Sequence, residues 1–265
     1  MKRLFQLLII KFYKSKFLKI IYGMRFRSII LEDEFAKSHG VIEAMAHFKL
    51  LSEPKVSSAF VKKRFNNSSI RYEKTVELAG FEDGEMGFIV TTLNDVIAKE
   101  KPLNCLDLGC GSGLVGPKIH SKLSSLVGVD LSEKMLELAN DKKVYNELHC
   151  QDIQDYLTNE TRIFDLIFAC SVIQFFDDVK LNNLLDSINN CLSPNGVFMF
   201  TFDICDDGYH MNSKLTMEHS LDYIDKTVKK YFENIEIHQI KTGRLEQNKE
   251  VGCGLVIVKK FMPQQ

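Results

Sequence analysis

Asp107, Gly109, Gly111 and Gly113, with Asp130 further along the chain, are the residues whose types and spacing could do chemistry together. Glycines at alternate positions let a backbone turn sharply and leave no side chain between it and a ligand. Asp130 lies about as far beyond the turn as a carboxylate that chelates the two hydroxyls of a ribose. Asp107, two residues before the first glycine, sets a second carboxylate at the mouth of the turn. There it would repel a pyrophosphate but suit a cationic ligand that carries an amino group. The chemistry described is capture of a nucleoside with a cationic, unphosphorylated tail.

Such residues need a scaffold, and from Leu103 onward strand and helix patterns alternate. Strands are expected near 103–108, 126–130, 146–150, 164–169 and 196–203. Helices are expected near 114–122, 132–142, 153–159 and 178–192. Ser132 can cap the second of these helices. Pro194-Asn195-Gly196 is a turn before the fifth strand. A helix near 217–232 precedes two last strands, near 234–241 and 252–260, joined directly as an antiparallel hairpin. The alternation implies an α/β fold with a doubly wound, mostly parallel sheet, whose ligands sit at the carboxyl ends of the strands. Before it, residues 55–100 read as a helical lead-in broken at Asn66-Asn67-Ser68-Ser69 and at Asp83-Gly84.

The dinucleotide fingerprint Gly-x-Gly-x-x-Gly fails at Leu114, although Gly116 is near. S-adenosylmethionine has a sulfonium, an ammonium and no phosphate. Leu106-Asp107-Leu108-Gly109-Cys110-Gly111-Ser112-Gly113 closely resembles the first motif of the class I S-adenosylmethionine-dependent methyltransferases. Val127–Leu136 resembles the second, Phe164–Ser171 the fourth, and Leu192–Phe200 the strand motif after it. The resemblance covers about 100–260 and implies a Rossmann-like, seven-stranded sheet. By carry-over, Asp107, Gly109, Cys110, Gly111 and Gly113 form the cofactor turn, and Asp130 holds the ribose. Leu131 and Met135 flank the adenine. Asp152 accepts from its amino group, beside Ile153, with Asp155 as a rival. Cys170 lies by the methionine moiety. Leu114–Pro117, Val144–His149 and His219–Tyr223 look like the branch associated with tetratricopeptide repeats, as does the lead-in Phe65–Tyr72. This chain has Ser68 where that branch usually carries a tyrosine, and Ser171 at a fourth-motif position usually filled by an acid.

Methyl transfer from a sulfonium needs a base only if the acceptor is protonated. Candidate bases are His210, His219 and Tyr223, in the insertion between the fifth and sixth strands. His219 and Ser171 are the catalytic candidates. Gln174, Phe175, His210 and Tyr223 are the acceptor-binding candidates. Phe60, Phe65 and Tyr72 either cover the pocket or are core aromatics. The expected function is methyl transfer to an oxygen or nitrogen of a small molecule, a sugar or lipid-linked intermediate included. The alternatives are a nicotinamide-dinucleotide oxidoreductase and a non-catalytic scaffold that binds S-adenosylmethionine.

Composition sets the outer limits. A net charge of -1 over 265 residues offers no global field for nucleic acid, and no basic–aromatic stripe marks one. The seven cysteines contain no C-x-x-C pair, which argues against zinc and for a reducing, cytoplasmic compartment. Residues 1–31 hold eight Lys and Arg and no acid, interleaved with large apolar side chains. The apolar run Leu7–Ile10 is too short to span a bilayer, which needs about 20 residues. It is also short for a secretory core of roughly 7–15. Two readings fit: a basic amphipathic helix on the inner face of an anionic membrane, or a helix packed on the domain with its lysines in water. Residues 40–54 look like half a tetratricopeptide repeat without a second copy. The expected division is a helical extension and lid over 1–100 and a cofactor-binding domain over 101–265.

Overall fold

Leu103–Leu108 forms the first strand, β1, at the centre of the sheet, buried at every position but Asn104. The computed structural model describes residues 56–78, 84–98, 103–212, 216–246 and 249–260. The readings of residues 1–55, and the division at 100/101, lie outside the described residues. β1 pairs in parallel with β2 (Leu123–Asp130) and β4 (Phe164–Ala169), and β2 pairs with β3 (Glu147–Cys150). β4 pairs in parallel with β5 (Leu192–Ile204). The antiparallel strands β8 (Asn234–Glu246) and β9 (Lys249–Lys259) close that edge, β9 lying against β5. These seven strands run 3-2-1-4-5-9-8, as the resemblance implies.

Among the described residues two short strands extend the expected sheet to nine. Met217–His219 (β7) was expected to open a helix. Instead it pairs in parallel with the tip of β5 and antiparallel with β6 (Tyr209–Met211). Asp203 pairs with Cys253 on one edge and Glu218 on the other. The β6–β7 hairpin therefore sits on the β4 side of β5, beyond the end of β4. Backbone pairing there wins over helical spacing.

Alternation along the strands feeds two cores. Phe198, Phe200 and Phe202 face one side, with Leu106, Leu108, Val127 and Val129. Val197 and Met199 face the other, with Cys105, Leu126, Leu166 and Phe168. Among the described residues seven helices cover the sheet: α1 (Ser58–Leu78), α2 (Glu85–Ile97), α3 (Gly116–Ile119), α4 (Glu133–Asp141), α5 (Ile153–Asn159), α6 (Asp178–Cys191) and α7 (Leu221–Val228). Their starts are written in capping residues: Ser132, Asp152, Asp177 and Ser220 each accept from a backbone N–H of the first turn. α3 is shorter than the expected 114–122 and passes into a 3-10 turn at His120–Lys122.

α1 runs unbroken through Asn66–Ser69, against expectation. Ser68 and Ser69 turn their hydroxyls back on the carbonyls of Phe65 and Asn66, so they do not compete for other backbone partners. Asn66 accepts from the Ser132 hydroxyl across the gap to α4 at 2.6 Å. Tertiary contact overrides local propensity there.

Candidate active site

The turn after β1 holds three glycines in left-handed conformation: Gly109 at φ 67°, Gly111 at 55° and Gly113 at 77°. The amides of Gly109 and Cys110 both donate to the Val129 carbonyl, which ties the turn to the end of β2. The glycines do different work. A Cβ on Gly109 would fall 2.4 Å from Val172, whereas one on Gly111 would meet nothing closer than 4.0 Å. Gly111 thus keeps the approach to the backbone clear. Gly113, expected in the cofactor turn, does not line the cavity; a Cβ there would press on Ala139 and Tyr145.

Both acids frame the same space. Asp130 Oδ2 accepts from the Gly111 amide at 2.9 Å and Oδ1 from the Ser132 amide at 2.8 Å. Burial raises the Asp130 pKa, and those amides oppose the rise. Asp107 is 3% exposed. Burial pushes its pKa up to about 7, against the pull of the Tyr145 hydroxyl, which donates to its Oδ2 at 2.7 Å. A cleft of 190 Å³ runs from Asp130, Leu131, Asp152 and Ile153 toward Cys170 and Ser171. A smaller lobe of 60 Å³ continues it past Cys110 to Asp107. Tyr72, Gly109, Gly111, Cys170 and Ser171 line both. A separate polar hollow of 440 Å³ between residues 154–163 and 183–191 contains no glycine and neither acid of the turn.

α1 roofs the cleft. Ser58 donates to Asp152 Oδ2 at 2.6 Å. Phe65 meets Phe175 edge to face at 5.5 Å and Tyr72 at 5.9 Å. Arg64 lies over the Phe175 ring. Lys62–Glu133 and Glu73–Lys142 ion pairs, each 2.6 Å, tie the helix to α4 and its end. Lys180 lines the cleft and donates to the Val56 carbonyl. Beneath, Ser171 is left-handed at φ 56°. Its amide donates to the Thr201 hydroxyl, and the Ser171 and Thr201 hydroxyls both donate to Glu85 Oε1, at 2.7 and 2.8 Å. Glu85, Thr201 and Tyr145 were not legible as site residues, because their partners stand 30 to 116 positions away.

Several expected residues lie elsewhere. Met135 is fully buried under α4 and does not reach the cleft. Gln174, on the 3-10 turn Ile173–Phe175, does not line it, while Phe175 does. His219 is fully buried beside Tyr209 and Tyr223, and burial lowers its pKa to about 4. It is a weak base, outside the cleft. His210 pairs with Glu218 at 3.1 Å, and the Tyr223 hydroxyl donates to Asp178 at 2.5 Å. The β6–β7 hairpin accounts for these placements, since it pairs this insertion with the tip of β5 beyond the end of β4.

The donor set fits S-adenosylmethionine. The buried Asp107 carboxylate suits an ammonium, Gly111 leaves the backbone open, and Asp130 presents two fixed oxygens at the other end. The strand order and this donor set are those of a class I S-adenosylmethionine-dependent methyltransferase. Residues 105–196 match the model of a methyltransferase domain family. The chain is 29% identical over 187 residues to a malonyl-[acyl-carrier protein] O-methyltransferase of Halalkalibacterium halodurans, covering 62% of this chain and 67% of that one. It is 29% identical over 108 residues to a ubiquinone biosynthesis O-methyltransferase of Coxiella burnetii, covering 38% and 44%. It spans about half the length of most curated relatives it matches, for example 53% of the Bacillus anthracis malonyl-[acyl-carrier protein] O-methyltransferase. The fold superposes on magnesium protoporphyrin IX methyltransferase of Synechocystis with a TM-score of 0.60 at 14% identity, over 77% of this chain and 99% of that one. A methyltransferase of Clostridium acetobutylicum gives 0.52 at 21%, over 75% and 100%.

Proposed function

We propose that the protein transfers the methyl group of S-adenosylmethionine to a carboxylate oxygen of a small acceptor, with the carboxylate of an acyl thioester as the first candidate. One observation carries the choice: among the described residues no histidine or glutamate lines the cleft or its lobe, and the lining acids Asp107, Asp130 and Asp152 already accept hydrogen bonds from the protein. A carboxylate arrives deprotonated, so it needs no base. When bound, the cofactor supplies an activated methyl on sulfur, and the protein's part is to orient and exclude water. Asp107 and Asp130 hold its two ends, Ser171 shapes the wall between them, and Phe65, Tyr72 and α1 close the roof. Lys180 is a cation at the cleft for an anionic acceptor. Relatives named for O-methylation of a malonyl carrier support the reading. A nicotinamide dinucleotide would set its pyrophosphate near the Asp107 carboxylate.

The test is methyl transfer from labelled cofactor to malonyl thioesters, phenols and amines in parallel. Label in a base-labile ester is expected. Label only in an ether or an amine would defeat the carboxylate assignment.

A further inference from the structure

Three glycines near the cofactor turn do not touch the cofactor cavity: Gly113 in the turn, Gly116 at the start of α3 and Gly128 inside β2. A Cβ added to any of them would strike the same ring. Gly113 would come 2.9 Å from Tyr145 Cε2, Gly116 3.0 Å from its ring and hydroxyl, and Gly128 2.9 Å from Cδ1 and Cε1. Contacts this close leave no space for a methyl group. Tyr145 belongs to the loop before β3, where a side chain is ordinarily unconstrained. Here three elements hollow out a slot for it. The slot delivers its hydroxyl to Asp107 Oδ2 at 2.7 Å.

We propose that Tyr145 is the positioning residue for the cofactor's ammonium group: seated in the three-glycine slot, it holds the Asp107 carboxylate toward the methionine lobe. The proposal rests on the S-adenosylmethionine reading above. Among the described residues, no other side chain facing Asp107 favours its charge. Asp130 on β2 and burial disfavour its charge. Cys105 on β1 and Cys110 in the turn are thiols that burial keeps protonated. Tyr72 from α1 lines the same lobe and is held neutral by burial. The Tyr145 hydroxyl favours the ionised carboxylate, and that is the form an ammonium requires.

The experiment is calorimetry on the full chain and its Tyr145→Phe variant between pH 6 and 9. The ligands are S-adenosylmethionine, S-adenosylhomocysteine and 5′-methylthioadenosine, which lacks the amino-acid end. Affinity for the first two is expected to fall about tenfold at pH 7, with 5′-methylthioadenosine unchanged. The pH midpoint of S-adenosylmethionine binding should move upward. In an Asp107→Asn background the same change should cost nothing more. Gly116→Ala, which crowds the hydroxyl from the far side, should reproduce the selective loss. An equal loss for all three ligands would reduce Tyr145 to a structural residue and overturn the proposal, as would an unmoved affinity and midpoint. If the unaltered protein bound neither sulfur nucleoside, the cofactor reading itself would fail, and the proposal with it.

Discussion

Asp130 has both carboxylate oxygens engaged by backbone amides, so it is oriented before any ligand arrives. Replacing it with alanine removes the proposed ribose acceptor and releases the Gly111 amide. Cofactor affinity should drop by about 1.5–3 kcal/mol, the range for hydrogen bonds to a charged group. Calorimetry checks this, and an unchanged affinity would place the ribose elsewhere. Asp107 carries an opposite burden. Its folded pKa of about 7 lies above the ordinary carboxylate value of 3.8. The fold therefore favours the protonated form: that stability is fully present below about pH 4 and lost as pH rises through 7. Asp107→Asn should raise the melting temperature of the ligand-free protein, with a gain that grows from pH 4 to 7 and then levels. A gain independent of pH would mean that Asp107 titrates in the folded chain as it does in the unfolded one, with no raised pKa.

At the scale of elements, what could be read beforehand was local. β1, β4 and α5 fall where strand and helix patterns place them, and the glycine turn with its two acids is contiguous enough to name a cofactor. Long-range partners could not be read. Nothing in Glu-Met-Gly-Phe at the start of α2 announces that Glu85 will accept from Ser171 and Thr201, 86 and 116 residues away. Asn66–Ser69 reads as a break until α4 supplies a partner, and 217–219 reads as helix until β5 offers an edge. The Glu85 bonds carry their own prediction. They pin Ser171 in a left-handed conformation that a serine seldom adopts unaided. Glu85→Gln keeps an acceptor for both hydroxyls and should retain most cofactor affinity. Glu85→Leu strands the buried Thr201 hydroxyl, at a cost of about 1–3 kcal/mol, and the half-buried Ser171 hydroxyl with it. It should lower both the melting temperature and the turnover. Equal behaviour of the two variants would show that the acceptor does not position Ser171.

For the whole molecule, the described residues that line the cleft and its lobe all fall between Ser58 and Lys180, although the sheet continues to Lys259. The cleft is thus drawn chiefly from the roof helix and the ends of the first four strands, while the antiparallel edge gives β5 its partner. No helix of the described residues is long and apolar enough to cross a membrane. Residues 1–31 lie outside them, so their eight cations enter by composition alone. Near an anionic surface each Lys or Arg contributes about 1 kcal/mol, decaying within a Debye length of about 8–10 Å. Removing residues 1–31 should therefore leave affinity for S-adenosylmethionine unchanged while abolishing salt-sensitive sedimentation with phosphatidylserine vesicles. If the full chain stays in the supernatant at low salt and the shortened chain turns insoluble, the segment packs on the domain and does not bind a membrane. If the shortened chain is soluble but has lost cofactor, the N-terminal segment contributes to the site.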